Sequence, residues 1–392
     1  MTAERWWCLS QRIVLVSIAI VALLILGVVG YLLTRPAPTP TPTPTPVETT
    51  PTAPQTPAPQ TPPLPQVIRI STSALGSVGY AIAAYLADIW NREAGLRTYV
   101  QPYSGSGEAT VALVLGEVEI AYSADVLLID LYSWSKMFGV MGAGLEGKAK
   151  KFPAQSIWLY TAEFFILIPK KDADKYKCWK DLNGKNVYLY FTGSGPYLSG
   201  LLMLRSAGVS VNPLEVSLGA VADALDRGTV VATIAYTVAG GQATASWIRD
   251  LELRIDLEAL RPCPDEIKKL KEAGLALMEV NLSKVFTRNK HIGVVPAVLS
   301  FYGWHAAIDI PEDVVYRMLV ALEKVAKDYV RVAREFSQIA DDMAGFQVEA
   351  VKSSIAYGIP VHPGLAKYLK EKGLWNPEWD KYIAKELLPT TK

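Results

Sequence analysis

Three short loops rich in glycine, serine and threonine carry the residues best suited to chemistry in this 392-residue chain. They span residues 72–77, 104–107 and 193–196, each between a stretch of strand character and one of helical spacing. Glycine lets the backbone approach a ligand closely, and the hydroxyl groups add short hydrogen-bonding arms. A helix start adds unpaired N–H groups and about half a positive charge. Such loops, meeting in one cleft, would hold a small anion or zwitterion.

Residues suited to catalysis or metal binding are scarce. The histidines are His291, His305 and His362, and none stands at a metal-ligand spacing from a cysteine or another histidine. The chain has no Gly-x-Ser-x-Gly elbow. Residues 142–148 resemble a phosphate loop, but Ala149 replaces the magnesium-binding hydroxyl residue. We predict no catalytic residue, no metal ligand and no cofactor.

The elements that must position the loops alternate between strand and helix. The first half shows this pattern from residue 67, with a helix from Val78 that Gly95 ends, and a second α/β unit follows after Phe164. This alternation predicts an α/β fold with a largely parallel sheet and a helical C-terminal part after Pro311. The predicted strands lie at residues 67–71, 96–103, 120–123, 157–160, 164–169, 186–190, 215–218, 230–236 and 293–301.

The N-terminal part has the composition of a membrane anchor and a spacer. Residues 13–33 carry no charge and are long enough to cross about 30 Å of hydrocarbon. A cleaved signal peptide is the alternative, but no small-x-small site follows the apolar run. Residues 34–66 hold 13 of the 26 prolines, alternating with threonine, and favour extended polyproline II. We predict a cytoplasmic tail at 1–12, one transmembrane helix at 13–33, a Pro/Thr-rich linker at 34–66 and an extracytoplasmic body.

Charge and cysteine content restrict the partners of that body. It has 36 basic and 36 acidic residues, because three of the 39 basic and two of the 38 acidic residues lie before residue 67. This balance gives no electrostatic footprint for nucleic acid. Cys178 and Cys263 could pair in an oxidising exterior, or they could be two unrelated buried thiols. Sugar attachment to the linker or to Asn281 is equally open.

Seven stretches follow one another in a specific order along the chain. The first is the strand–loop–helix stretch with Thr72, Gly76 and Tyr80, and the others are residues 115–125, 181–187, 193–195, 222–228, 311–316 (Pro-Glu-Asp-Val-Val-Tyr) and 359–364 (Ile-Pro-Val-His-Pro-Gly). In this order they resemble the TAXI family of TRAP transporter solute receptors. Gly79 replaces a tyrosine of that family's first stretch, and Tyr122 stands where members often have glutamine.

The resemblance implies a periplasmic-binding-protein-like fold of two lobes joined by hinge crossings. Residues 67–165 and 293–392 would form lobe 1, and residues 166–292 would form lobe 2. Such a receptor closes on a small organic acid or amino acid, such as glutamate, glutamine or a dicarboxylate, and hands it to a sodium-driven TRAP permease. A binding protein for an ATP-driven importer is the alternative, and an extracellular enzyme on the same scaffold is a third hypothesis.

The three loops and the resemblance together give a set of expected contacts with an anionic or zwitterionic ligand. The expected ligand-binding residues are Thr72, Ser73, Gly76, Tyr80, Tyr122, Ser123, Gly193, Ser194, Gly195, Tyr236 and Thr237.

Overall fold

A computed structural model of the chain describes residues 67–75, 77–132, 145 and 147–388. The expected tail, transmembrane helix and linker lie outside these residues, as do Gly76 and most of the phosphate-loop-like run. Within the described part, no helix combines the length and the apolar character that crossing a bilayer requires.

The described strands join in one mixed sheet. Eight of them follow the order β2-β1-β3-β11-β4-β7-β5-β6, while β8 pairs with β7, β9 with β4 and β10 with β11. Their bounds are β1 Ile68–Thr72, β2 Thr98–Pro102, β3 Ile120–Ala124, β4 Ala154–Pro169, β5 Asn186–Tyr188, β6 Asn212–Pro213, β7 Ala232–Val238, β8 Ala243–Thr244, β9 Leu257–Leu260, β10 Leu277–Asn281 and β11 Val294–Ala306.

The expectation of a largely parallel sheet is wrong, whereas the α/β class is confirmed. Four strand pairs are parallel and six are antiparallel in the described part. The difference comes from β4 and β11, which pair antiparallel with each other and with β3, β7, β9 and β10. Strand–helix alternation predicts parallel crossovers, but it does not show that a later strand returns in the opposite direction.

Strand β4 is continuous where two short strands were expected at residues 157–160 and 164–169. All 16 of its residues are buried. A strand buried on both faces usually shows as one run of apolar residues, but here the polar residues Thr161 and Glu163, although buried, break that run between the two expected strands. Because β11 pairs along most of β4, these two strands connect the β1–β3 side of the sheet with the β5–β7 side.

Helices cover the sheet, and the C-terminal part is helical as expected. The first helix, α1, begins at the cap residue Ser77 and is followed by Gly95, which has a φ of 64°. The helix bounds are α1 Val78–Glu93, α2 Ser106–Val114, α3 Asp125–Tyr132, α4 Gly195–Ser206, α5 Val221–Asp226, α6 Ser246–Arg254, α7 Pro264–Glu272, α8 Glu312–Tyr329, α9 Ser337–Ala340, α10 Met343–Ile355 and α11 Pro363–Glu371.

The strand expected at residues 215–218 is not formed. Pairing with β5 stops at Pro213, and the Leu214 N–H donates one further bond to the Val187 carbonyl. The chain then enters a 3-10 turn, Leu218–Ala220. Pro213 lies in the edge strand β6 and has no N–H group to donate to a neighbouring strand. The ladder therefore ends there, and residues 215–218 pair with no strand in spite of their alternating pattern.

Cys178 and Cys263 form a disulfide, with their Cα atoms 5.4 Å apart. The bond joins the turn before Trp179 to the start of α7, 85 residues further along the chain. The sequence left this pairing open, and the structure decides it in favour of the bridge.

Candidate functional site

Strand register places a row of tyrosines on one face of the sheet. Paired residues of antiparallel strands share a face, as do residues two apart along one strand. Tyr302 of β11 pairs with Tyr160 of β4, and Trp304, two residues further on, pairs with Tyr122 of β3. Tyr236 of β7 pairs with Phe164, four residues along β4 from Tyr160, and so joins the same row.

Tyr122, Tyr160 and Tyr302 form a contiguous surface, which we call the tyrosine wall. The rings of Tyr160 and Tyr302 are stacked, with centroids 5.4 Å apart and an interplanar angle of 11°. The ring of Tyr122 lies 5.8 Å from that of Tyr302, and its hydroxyl is 2.6 Å from the Tyr160 hydroxyl. Burial raises the pKa of all three hydroxyls, so the wall is neutral.

Two of the predicted loops meet at the tyrosine wall. The Gly195 N–H, at the start of α4, donates to the Ser106 hydroxyl at the start of α2 over 3.2 Å. A Cβ at Gly195 would lie 3.1 Å from the same hydroxyl oxygen and would overlap the hydroxyl of Tyr302. Glycine at 195 therefore lets the two loops and the wall approach one another. The carbonyl of Gly193, whose φ of 80° suits glycine, faces the first turn of α2.

The first predicted loop reaches the wall from the α1 side. The Ser77 hydroxyl accepts from the Tyr80 N–H and lies 2.7 Å from the Ser73 hydroxyl. A Cβ at Gly79 would lie 2.6 Å from the Ser73 hydroxyl and 2.8 Å from the Tyr122 ring. Glycine at residue 79 therefore leaves room for the Tyr122 ring.

Thr72, the last residue of β1, lies beside the tyrosine wall. Ile70 of β1 pairs with Ile120 of β3, so Thr72 and Tyr122, each two residues further along its own strand, lie on the same face of the sheet. The Thr72 hydroxyl is buried and finds no hydrogen-bond partner among the described residues. A buried unpaired hydroxyl costs about 1–3 kcal/mol, which a ligand atom in hydrogen-bonding distance would offset.

Two predicted contacts, Ser123 and Thr237, lie on the opposite face of the sheet. The Ser123 hydroxyl accepts from Thr110 of α2 at 2.9 Å. The Thr237 hydroxyl donates at 2.7 Å to Glu163, a buried carboxylate that also accepts from the N–H groups of Gly240 and Gly241. Both hydroxyls are therefore hydrogen-bonded to other residues of the protein. The Ser194 hydroxyl is hydrogen-bonded too, because it caps α4 by accepting from the Tyr197 N–H.

Sequence reasoning missed Tyr190 and Glu335. Tyr190 follows β5 with a φ of 82°, an unusual value for a residue with a side chain, and its ring packs on Trp247 at 5.7 Å. Glu335 lies in the 3-10 turn Arg334–Phe336 and is 8% exposed. Neither residue stands in a motif of the sequence, so the sequence offered no signal for either.

A small separate cavity lies beside the buried carboxylate of Asp125. It has a volume of about 20 Å³, enough for one water molecule, and Ser199 and Ser300 are among its lining residues. Asp125 accepts from the N–H groups of Val126 and Phe301 and from the Ser300 hydroxyl. Burial raises the pKa of Asp125 to about 6 despite these donors.

A group of potential metal ligands in the described part of the chain, and two buried histidines, have other partners. Cys178, Cys263 and Glu266 are close together, but the sulfurs form the disulfide and the carboxylate accepts from the N–H groups of Lys180 and Cys263. His305 accepts from the Ser156 N–H, and His362 accepts from the Gly364 N–H. Burial lowers the pKa of His305 to about 3 and that of His362 to about 4, so both are neutral.

The described part of the chain is a mixed α/β sheet in which two loops meet beside a row of buried tyrosines. The chain belongs to the NMT1-like family, which matches residues 70–373.

Several solved binding proteins are similar in fold. The aliphatic sulphonate binding protein SsuA of Escherichia coli is 16% identical, with 78% of this chain and 83% of that chain covered and a TM-score of 0.36. MatC of Rhodopseudomonas palustris, solved with bound malate, is 13% identical over 74% and 97% of the two chains, with a TM-score of 0.44. Substrate binding domain 2 of Lactococcus lactis GlnP is 13% identical over 71% and 95%, with a TM-score of 0.34.

Proposed function

We propose that the protein is a membrane-tethered extracytoplasmic solute receptor that captures a small organic acid or amino acid. The observation that carries this proposal is the meeting of the Ser106 and Gly195 loops beside the buried, unpaired hydroxyl of Thr72. Those loops belong to the two expected lobes, 67–165 with 293–392 and 166–292. A ligand enclosed between them would take up the Thr72 hydroxyl and the helix-start amides of α1 and α2.

An extracytoplasmic body agrees with its disulfide. Structural disulfides persist mainly in oxidising compartments, and the Cys178–Cys263 bond lies in the body, which follows the expected span at 13–33 in the sequence. The linker at 34–66 would hold this body away from the bilayer. The receptor performs no chemistry on its ligand in this proposal.

Delivery to a sodium-driven TRAP permease is the finer part of the proposal, and it rests on the motif order described above. The alternative is a binding protein that serves an ATP-driven importer. Uptake of a bound solute into membrane vesicles from the source cells separates them: dependence on a sodium gradient supports the first, and dependence on ATP supports the second. A multi-span TRAP permease or a nucleotide-binding subunit encoded beside this chain would give the same distinction.

A thermal-shift screen of the full chain in detergent tests the receptor function. A compound that binds the folded state raises the unfolding midpoint as its concentration exceeds its dissociation constant. The panel contains organic acids, glutamate, glutamine and other amino acids, and quaternary amines. We expect a saturable shift with at least one compound, lost in Thr72→Val. If no compound moves the midpoint, the proposed function fails.

A further inference from the structure

The disulfide between Cys178 and Cys263 has a carboxylate beside it. The two sulfurs and one carboxylate oxygen of Glu266 all lie within 4.8 Å of one another. Sulfur and carboxylate oxygen are ligands of Zn²⁺ in proteins, and in a tetrahedral site with Zn–S bonds of about 2.3 Å and Zn–O bonds of about 2.1 Å they stand about 3.6–3.8 Å apart. Once the S–S bond is open, movements of about 1 Å for each side chain bring the three atoms to zinc distances.

Backbone N–H groups hold Glu266 in position. Its side chain is 1% exposed, and its two oxygens accept from the N–H groups of Lys180 and Cys263, each at 2.6 Å. Within the residues that the structure describes, no basic side chain forms an ion pair with this carboxylate. Hydrogen bonds of this kind orient a metal-ligating carboxylate, so the negative charge is available to a metal ion next to the sulfurs.

The environment of Cys263 suits both reduction and metal binding. The residue is half-buried, so a reductant can reach its sulfur, whereas Cys178 is 5% exposed. Cys263 is also the N-cap of the nine-residue helix α7. The positive end of a helix favours the thiolate over the thiol, and the thiolate is the form that binds metal.

We propose that reduction of the Cys178–Cys263 disulfide creates a zinc site whose protein ligands are the two thiolates and Glu266. A thiol reductant passes two electrons to the sulfurs, which become two cysteine thiols, while the reductant becomes a disulfide. Zn²⁺ then displaces the two thiol protons. A water molecule takes the fourth position, beside the half-exposed Cys263.

The zinc ion would keep residues 178 and 263 joined after their covalent bond is lost. The body would therefore have a bridge at this place in either redox state. The sequence gives no sign of such a site, because the two cysteines are 85 residues apart and only the fold brings Glu266 to both of them.

Metal titration of the full chain in detergent tests the site in a Cys8→Ser background, which removes the third cysteine. The protein is reduced with a phosphine and titrated first with Co²⁺, whose thiolate charge-transfer absorption reports sulfur ligands, and then with Zn²⁺, which displaces it. We expect one metal ion per reduced chain and none per unreduced chain. Absence of the thiolate absorption after reduction, or equal metal binding before it, overturns the inference.

Glu266→Gln tests the carboxylate, with Glu272→Gln as the matched control. Glu272 lies in the same helix, is exposed and pairs with Lys268. We expect Glu266→Gln to lower the zinc affinity of the reduced protein by roughly tenfold or more and Glu272→Gln to leave it unchanged. Unchanged zinc affinity in a folded Glu266→Gln protein overturns the assignment of Glu266.

Stability gives a second measure of the same site. Because zinc binds the folded state, the unfolding midpoint of the reduced protein should be higher with Zn²⁺ than with a chelator, and the Cys178→Ser, Cys263→Ser double variant should show no such difference. An equal effect of zinc in the double variant would mean an adventitious ion only and overturns the inference. If reduction unfolds the body and zinc does not refold it, the inference is also overturned. Solute binding is measured on the oxidised protein, so none of these outcomes decides the receptor function.

Discussion

The carbonyl oxygen of Gly193 points at the Cα of Gly107 so closely that a methyl group on residue 107 would overlap it. Gly107 lies in the first turn of α2, and Gly193 lies in the loop before α4. Together with the bond from the Gly195 N–H to Ser106, this contact brings two of the loops together beside the tyrosine wall. The contact between these two loops therefore depends on the absence of a side chain at residue 107.

Gly107→Ala should weaken ligand binding without unfolding the body. Residue 107 is helical, where alanine is favoured over glycine, so the local helix tolerates the change. Overpacking typically costs about 1–3 kcal/mol, and here the cost would apply to the state in which the two loops touch. We expect the affinity for the best compound of the thermal-shift screen to drop by roughly tenfold or more. Calorimetric titration measures it.

Gly219→Ala is the control for this substitution. A Cβ at residue 219 meets no atom within 4 Å, and the residue lies in the 3-10 turn Leu218–Ala220, away from the loops. Its affinity should equal that of the wild type. Wild-type affinity in Gly107→Ala would show that the loops need not touch when ligand is bound.

Thr72→Val should separate binding from stability. Replacing a buried, unpaired hydroxyl with a methyl group of similar shape is close to neutral or stabilising, so the unliganded midpoint should hold or rise. Ligand affinity should nevertheless fall, because the hydroxyl is available to the ligand. Denaturant unfolding and calorimetric titration of the same variant measure the two quantities.

Thr110→Val is the comparison for Thr72→Val, because it removes a buried hydroxyl that is hydrogen-bonded. The Thr110 hydroxyl lies 2.8 Å from the Ser106 carbonyl oxygen and 2.9 Å from the Ser123 hydroxyl, so its loss breaks hydrogen bonds to both and should lower the free energy of unfolding by about 1–3 kcal/mol. If Thr72→Val destabilises the unliganded protein as much as Thr110→Val does, Thr72 has a structural role instead.

The sequence predicted the elements near the loops well because their signals are local. The loops at 72–77 and 193–196 directly precede α1 and α4, and Gly95 follows α1, so loop and stop residues indicated where these helices lie. The tyrosine wall has no local signal, since Tyr122, Tyr160 and Tyr302 are separated by long stretches of chain. They meet only because β11 lies between β3 and β4, and strand order is set by tertiary packing that the alternation of strands and helices does not encode.

The sequence also could not show which of two neighbouring residues, Tyr122 and Ser123, faces the tyrosine row. Tyr122 and Ser123 were both expected to contact ligand, but successive side chains in a strand point to opposite faces. Tyr122 faces the wall, whereas Ser123 faces Thr110 of α2. Only strand register, fixed by the pairing of Trp304 with Tyr122, decides which of them belongs to the wall.

Removing the disulfide with a Cys178→Ser, Cys263→Ser double variant should destabilise the body. The bond closes a loop of 85 residues, and loop-closure entropy gives an upper value of about 4–5 kcal/mol, with about 2–5 kcal/mol typical of native bridges. Denaturant unfolding under non-reducing conditions measures the loss. Thiol titration of the denatured wild type provides the check: one reactive thiol, Cys8, is expected before reduction and three after it. Three thiols before reduction would contradict the bridge.

Asp125 should give the stability of the protein a pH dependence that Asp125→Asn removes. Its pKa is about 6 in the folded state against an ordinary value of 3.8, because burial disfavours the charged carboxylate. Between these values the folded protein holds a proton that the unfolded chain has released, so this group's contribution declines as pH rises from 4 to 6 and is constant above it. The total decline is about 3 kcal/mol.

Measured by denaturant unfolding from pH 4 to pH 7, the wild type should lose most of this, about 2 kcal/mol, relative to Asp125→Asn. His305 and His362 act in the opposite direction, since their lowered pKa values favour the folded state as pH rises towards 6.5, but both are present in the two proteins and cancel in the difference. A constant difference across this range would mean that Asp125 is ionised in the folded protein, and that its cavity admits enough water to solvate the charge.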